Sequence, residues 1–174
     1  NIMNSSTSLF GKKILVGITG SIAAIKTPIL VSRLVKAGAQ VKCIVTPNST
    51  NLVSPLSLST LSRYKCFQDK DQWEDYQTKP LHISLAEWAE LIIVAPMSAT
   101  SLSKFVHGNA DGLLASTLLA ADSQIIVAAA MNTSMWSHQS VKNNWNIVQK
   151  REQVIPLDPS EGLLACNRIG DGKM

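Results

Sequence analysis

"KKILVGITGSIAAIKTPILVSRLVKAG", residues 12–38, decides how the rest of the chain is read. Its first seven residues are an apolar run that stops at "TGS", as a parallel strand buried on both faces does. Behind it, Ile25, Ile29, Leu30 and Leu34 recur at helical spacing up to Gly38, a natural helix stop. Ser21 is the expected cap of that helix, and Pro28 calls for a bend or a late regular start.

The same unit repeats outward along the chain. "AQVKCIVTP" (39–47) reads as a second strand and 55–62 as a short helix. "HISLAEWAE" (82–90) is a helix leading into the strand "LIIVAP" (91–96). "SATSLSKFV" and "DGLLASTLLAA" are helices, "SQIIVAAA" (123–130) a strand, "QSVKNNWNIVQKR" (139–151) an amphipathic helix and "QVIPL" (153–157) a last strand. Strands alternating with helices imply a parallel sheet covered on both faces, a three-layer α/β/α domain of flavodoxin-like or Rossmann-like type. No repeat or linker divides the 174 residues, so 1–174 is expected to be one domain, with 1–12 a frayed terminus.

The chain is 45% hydrophobic and 16% charged, which places it among globular proteins. Its net charge of +4 comes from scattered Lys and Arg, not the dense patch of a nucleic-acid surface. Its apolar runs, at 91–95 and 125–131, have strand length and fall well short of the roughly 18 residues of a membrane span. Cys43, Cys66 and Cys166 have neither metal-ligand spacing nor an even count, so free thiols in a reducing, cytoplasmic setting are expected.

In such folds ligands bind where strands end and helices begin. The strand ends here are "TGSIA" (19–23), "TPNST" (46–50), "APMSATS" (95–101) and "AAMNTSMW" (129–136). Three of them offer Ser, Thr or backbone N–H groups near a helix start, which suits a phosphate but equally describes plain strand-to-helix turns. There is no "GxGxxG" and no Walker-type Lys, so a mononucleotide fits better than NAD or ATP. Taken without further context, His82 is a helix-start histidine, Asp111 a helix cap, Cys66 incidental, and Trp73, Trp88 and Trp145 packing residues. The polar, Gly-rich "ACNRIGDG" reads as a mobile loop.

Four blocks in register carry a family resemblance: "GITGSIAA" (17–24), "LHISLAEWAELIIVAP" (81–96), "AMNTSMW" (130–136) and "LACNRIGDGKM" (164–174). In these the chain resembles the flavin-dependent cysteine decarboxylases, and within them the phosphopantothenoylcysteine decarboxylases of coenzyme A synthesis. The resemblance implies FMN held by Gly20, Ser21, Ile22, Ala23, Thr46, Asn48, Ser98, Ala99, Thr100, Ser101 and Ala130. It implies His82, Asn132 and Cys166 as catalytic residues, with Asn132, Met135, Leu164, Ala165 and Cys166 on the substrate and 158–174 as a flap. The chain departs from the family pattern at Thr100 (usually Asn), Ala129 (usually Pro) and Asn167 (usually Gly), none of them a reacting group.

The implied reaction oxidises the cysteine unit of the substrate to a thioaldehyde, releases CO2 to leave an enethiolate, and re-reduces it to the aminothiol. Asn132 would fix the carboxylate, His82 would move a proton, and Cys166 would supply the proton of the reduction. The peptidyl-cysteine decarboxylases of modified-peptide biosynthesis lack that flap Cys, so they rank second, followed by a non-catalytic regulatory flavoprotein. The resemblance also implies a homotrimer or dodecamer with sites at subunit interfaces. It further implies a CTP-dependent phosphopantothenate–cysteine ligase, fused or separate, of which this chain would be the decarboxylase portion.

Overall fold

A computed structural model describes residues 9–171. Six parallel strands, β1 (Lys13–Ile18), β2 (Gln40–Val45), β3 (Cys66–Phe67), β4 (Leu91–Met97), β5 (Gln124–Ala129) and β6 (Val154–Leu157), form one sheet in the order β3-β2-β1-β4-β5-β6. That is the doubly wound order, which reverses direction between β1 and β4. All seven residues of β4 are buried, as a central strand covered on both faces requires.

One face packs Leu30, Val31 and Leu34 of α1 (Thr27–Lys36) and Leu58 of α2 (Pro55–Ser62) against Ile14, Val16, Val41 and Ile93. Cys166 and Ile169 of α8 (Gly162–Gly170) complete that face. The other face holds Leu85 of α3 (Leu81–Trp88), Leu102 of α4 (Ala99–His107), Leu113 of α5 (Leu113–Ala120) and Trp145 of α7 (Gln139–Gln149). They cover Leu15, Ile92, Val94 and Val127. Each such aliphatic side chain contributes about 1.5–3 kcal/mol by leaving water.

The expected elements are present, with instructive differences. A 3₁₀ turn (Ile22–Lys26) precedes α1, and Pro28 sits in the first turn of α1, where its missing N–H costs nothing. Ser21 stands at the N-cap of the 3₁₀ turn but makes no side-chain capping bond; only its carbonyl accepts, from the Ala24 N–H at 2.8 Å.

The expectation of a frayed terminus over 1–12 is corrected for its last residues. Leu9 is buried in the core, and Gly11 N–H donates to Gly38 O at 2.9 Å. Residues 1–8 lie outside the described residues. "ACNRIGDG" is not a loop where it is described. Residues 162–170 form α8, whose Cys166, Ile169 and Gly170 recur at helical spacing and are buried. A Cβ on Gly170 would fall 2.9 Å from Arg33 Cβ, so α8 lies unusually close to α1. Cys66 is core, not incidental: it pairs in register with Cys43 and is 3% exposed. Trp73, in contrast, is 81% exposed and packs on little.

Replacing Ile93, wholly buried in central β4, by Ala is expected to cost about 2–5 kcal/mol in urea denaturation. Ile147→Ala, on the exposed side of α7, should stay within about 0.5 kcal/mol.

Candidate functional site

The loops after β1, β2 and β4 converge at the carboxyl end of the sheet, beside the point where strand order reverses. Gly20 is required there by space: a Cβ would lie 2.7 Å from Asn48 Cβ, so only glycine lets the two loops meet. Ser98, with extended backbone, accepts the Ser101 N–H on its Oγ at 3.2 Å and so caps α4. The resulting cavity, about 360 Å³, is lined by Gly20, Thr46, Asn48, Ser98, Ala99, Thr100 and Ser101, with Lys104 as its cation and Met135 on its wall. Hydroxyls, a helix N-terminus and an ammonium group converging on one space form a donor set suited to a phosphate monoester.

A second cavity, about 320 Å³, lies toward α1 and α8. Ile22, Ala23, Ala95, Ala128, Ala129 and Ala130 give it small apolar walls, and Cys166 closes it. Burial pushes the Cys166 thiol up to about 11, so it is a protonated S–H at neutral pH rather than a thiolate.

His82 lines a third, more open cavity of about 580 Å³ with Asp69, Gln72, Trp73, Asp111 and Ser116. Asp69, Asp111 and Gly112 belong to this cavity and to the polar one alike. Asp111 is not the expected helix cap. It is exposed and pairs with Lys104 at 3.5 Å, while the Leu113 N–H at the start of α5 donates to Asp69 Oδ1 at 3.0 Å. Gly112, at φ +99°, supplies the backbone turn, and a Cβ there would press on Asp69 Oδ2 at 3.1 Å. Trp73, expected to pack, instead forms part of the rim.

Asn132 caps α6 (Thr133–Ser137): its Oδ1 accepts the N–H groups of Ser134 at 2.8 Å and Met135 at 3.4 Å. With Oδ1 turned to the helix, Nδ2 faces outward as a donor. Trp136 anchors this short helix, meeting Trp145 edge to face at 5.1 Å beneath the Lys142 ammonium.

The cofactor residues expected from sequence are thus brought together in two groups. Gly20, Thr46, Asn48 and 98–101 share the polar cavity; Ile22, Ala23 and Ala130 share the alanine-lined one. Ser21, Asn132, Leu164 and Ala165 line none of the three cavities, and Leu164 is 68% exposed. His82 and Cys166 belong to opposite faces of the sheet, so one chain does not gather His82, Asn132 and Cys166 in a single cavity. Sequence reasoning missed Asp69 and Lys104; Lys104, on α4 after "SATS", stood within reach of a helical-wheel argument, whereas Asp69 acts across 44 positions.

Fold and crevice together define a doubly wound α/β domain with a polar cavity at the switch point. The chain belongs to the flavoprotein family, whose model matches residues 2–174. It is 40% identical over 166 residues to the coenzyme A biosynthesis bifunctional protein CoaBC of Bacillus subtilis (strain 168), covering 95% of this chain and 40% of that protein. The chain therefore spans about two fifths of the length of the curated relatives it matches. Among solved structures, a PPC decarboxylase mutant complexed with pantothenoylaminoethenethiol superposes with a TM-score of 0.77 at 30% identity, over 84% of this chain and 81% of that one. The FMN-dependent cysteine decarboxylase SpaF gives 0.80 at 27%, over 89% and 88%. The resemblance read from the four sequence blocks is borne out, and so is the parallel three-layer fold.

The raised Cys166 thiol has a direct readout. Site-resolved alkylation of the native protein by iodoacetamide should be slow at pH 8 and keep rising, close to tenfold per pH unit, toward pH 11. A rate that levels off below pH 9 would contradict the buried, protonated thiol.

Proposed function

We propose that this chain is an FMN-dependent decarboxylase that converts 4'-phosphopantothenoylcysteine to 4'-phosphopantetheine in coenzyme A synthesis. The observation that carries this is the amide of Asn132, its Oδ1 held by two backbone N–H groups, at the carboxyl end of the sheet where the polar cavity and the Cys166 S–H also lie. The relatives named above, a coenzyme A biosynthesis protein and a PPC decarboxylase, support the substrate class.

In this reading a bound flavin would supply reversible two-electron redox chemistry at the cysteine unit. Thr46, Ser98, Thr100, Ser101 and Lys104 would hold its phosphate, while Ala23 and Ala130 present small side chains, and Ile22 an apolar one, toward the space a flat ring would fill. Gly20 keeps the cradle open to the backbone. Asn132 Nδ2 donates to the substrate carboxylate and orients it without a cation that would over-stabilise the ground state. Met135 bounds the polar cavity beside it. His82 handles a proton of the reacting thiol, and the Cys166 S–H gives the proton that completes the aminothiol. Leu164 and Ala165 precede Cys166 on α8, which would serve as the described part of the expected flap; residues 172–174 of that flap lie outside the described residues.

Because one chain does not gather these groups, the reading includes a homo-oligomer, trimer or dodecamer, whose subunits complete one another's sites. It also includes a CTP-dependent phosphopantothenate–cysteine ligase, fused or separate, that makes the substrate. The compartment is the cytoplasm, in keeping with three free cysteines. Among the described residues no helix is long and apolar enough to cross a membrane.

Anaerobic addition of phosphopantothenoylcysteine to the flavin-loaded protein should bleach the flavin band and release CO2. Release from a peptide ending in cysteine, with none from phosphopantothenoylcysteine, would instead establish the peptidyl-cysteine reading. Asn132→Asp keeps the α6 cap but replaces the donor with a negative charge, and should lower kcat/KM by about 100-fold or more. Cys166→Ser should release CO2 yet accumulate the enethiol by mass spectrometry.

A further inference from the structure

Thr19, between β1 and the Gly20 turn, is fully buried, and both bonding functions of its hydroxyl are used across the switch point. Oγ1 donates to Pro96 O at 2.7 Å and accepts the Ser98 N–H at 2.8 Å. Its carbonyl accepts the Ser21 N–H at 2.9 Å, and the next residue, Gly20, abuts Asn48. One residue thus sets the positions of Gly20 and Ser98, which line the polar cavity from the β1 and β4 loops, and of Ser21 beside them. Ser98 in turn starts α4 by accepting the Ser101 N–H, so the direction of the N–H and hydroxyl groups of 99–101 follows from where Thr19 holds Ser98.

Thr27 makes the same kind of bond one residue away on β4, donating from Oγ1 to Ala95 O at 2.9 Å, but it lines the alanine-walled cavity. The pair therefore contains its own control: two buried threonine hydroxyls bonded to adjacent carbonyls of β4, one tied to the polar cavity and one to the apolar. Neither loop could be held this way by an apolar side chain, because the Ser98 N–H would be left without its acceptor.

We infer that Thr19 is the positioning residue for phosphate recognition: its hydroxyl clamps the β1 and β4 loops into the spacing that grips a phosphate monoester. This rests on the reading of the polar cavity as the phosphate end of an FMN site. Thr19 touches no ligand itself; it acts through Ser98 and the groups of 99–101.

The 174-residue chain, free of flavin, is titrated with FMN and with riboflavin, which differ only in the phosphate, and binding is read from flavin fluorescence. Thr19→Val, nearly isosteric, should weaken FMN by about tenfold or more while leaving riboflavin within about twofold, collapsing the preference for FMN. Thr19→Ser retains the hydroxyl and should keep that preference. Thr27→Val should change both affinities alike and leave their ratio unchanged. The inference is overturned if Thr19→Val keeps the wild-type ratio, or if Thr19→Ser loses it; the second outcome remains decisive should the valine variant fail to fold. A wild-type chain that binds FMN no better than riboflavin would overturn the phosphate cradle itself, a result separate from either variant's.

Discussion

β1 and β4 lie side by side although more than seventy residues separate them, and the whole site hangs from that parallel pairing. Ile14, Leu15, Val16 and Gly17 align with Leu91, Ile92, Ile93 and Val94. The chain winds outward from β1 in one direction through β2 and β3, and from β4 in the other through β5 and β6. The loops leaving these two strands must therefore diverge, and a crevice opens between them without any residue being removed. Close packing does the rest: Gly17 lets Leu114 of α5 lie against β1, and Gly20 lets the first loop meet the second.

The hydrophobic pattern was enough to recover five of the six strands, because the central ones are apolar on both faces and end at a polar turn; the two-residue β3 is too short to carry such a pattern. "KKILVGI" and "LIIVAP" have no polar alternation, which leaves burial between two helical layers as the natural solution. The last element was harder. "ACNRIGDG" has the composition of a loop, and its helical logic lies in three positions, Cys166, Ile169 and Gly170, that bear on α1. A glycine used for close approach between helices looks, in a single sequence, the same as a glycine used for a turn.

The site was legible where function depends on residue type and obscure where it depends on reach. Ser98–Ser101 and Asn132 stand at strand ends, which the strand and helix periods locate, while the roles expected of them came from the family resemblance. Asp69 capping α5, Thr19 bridging to Ser98 and Arg151 donating to the carbonyls of Phe105 and Val106 at the end of α4 are long-range polar bonds. No local pattern announces them, since each depends on which elements the sheet makes neighbours. The separation of His82 from Cys166 is of the same kind: they lie on elements covering opposite faces of the sheet.

The fixed orientation of Asn132 has a consequence for the end of a reaction cycle. An amide whose oxygen is held by two backbone N–H groups cannot turn over to suit a new partner without breaking them. It offers donors and nothing else, so in the proposed reading it would suit an ionised carboxylate and gain little from a group that also carries protons. In a decarboxylation that carboxylate is the part of the molecule that departs as neutral CO2. Under that reading the attachment would disappear with the chemistry, and the product would lack the group held at this position.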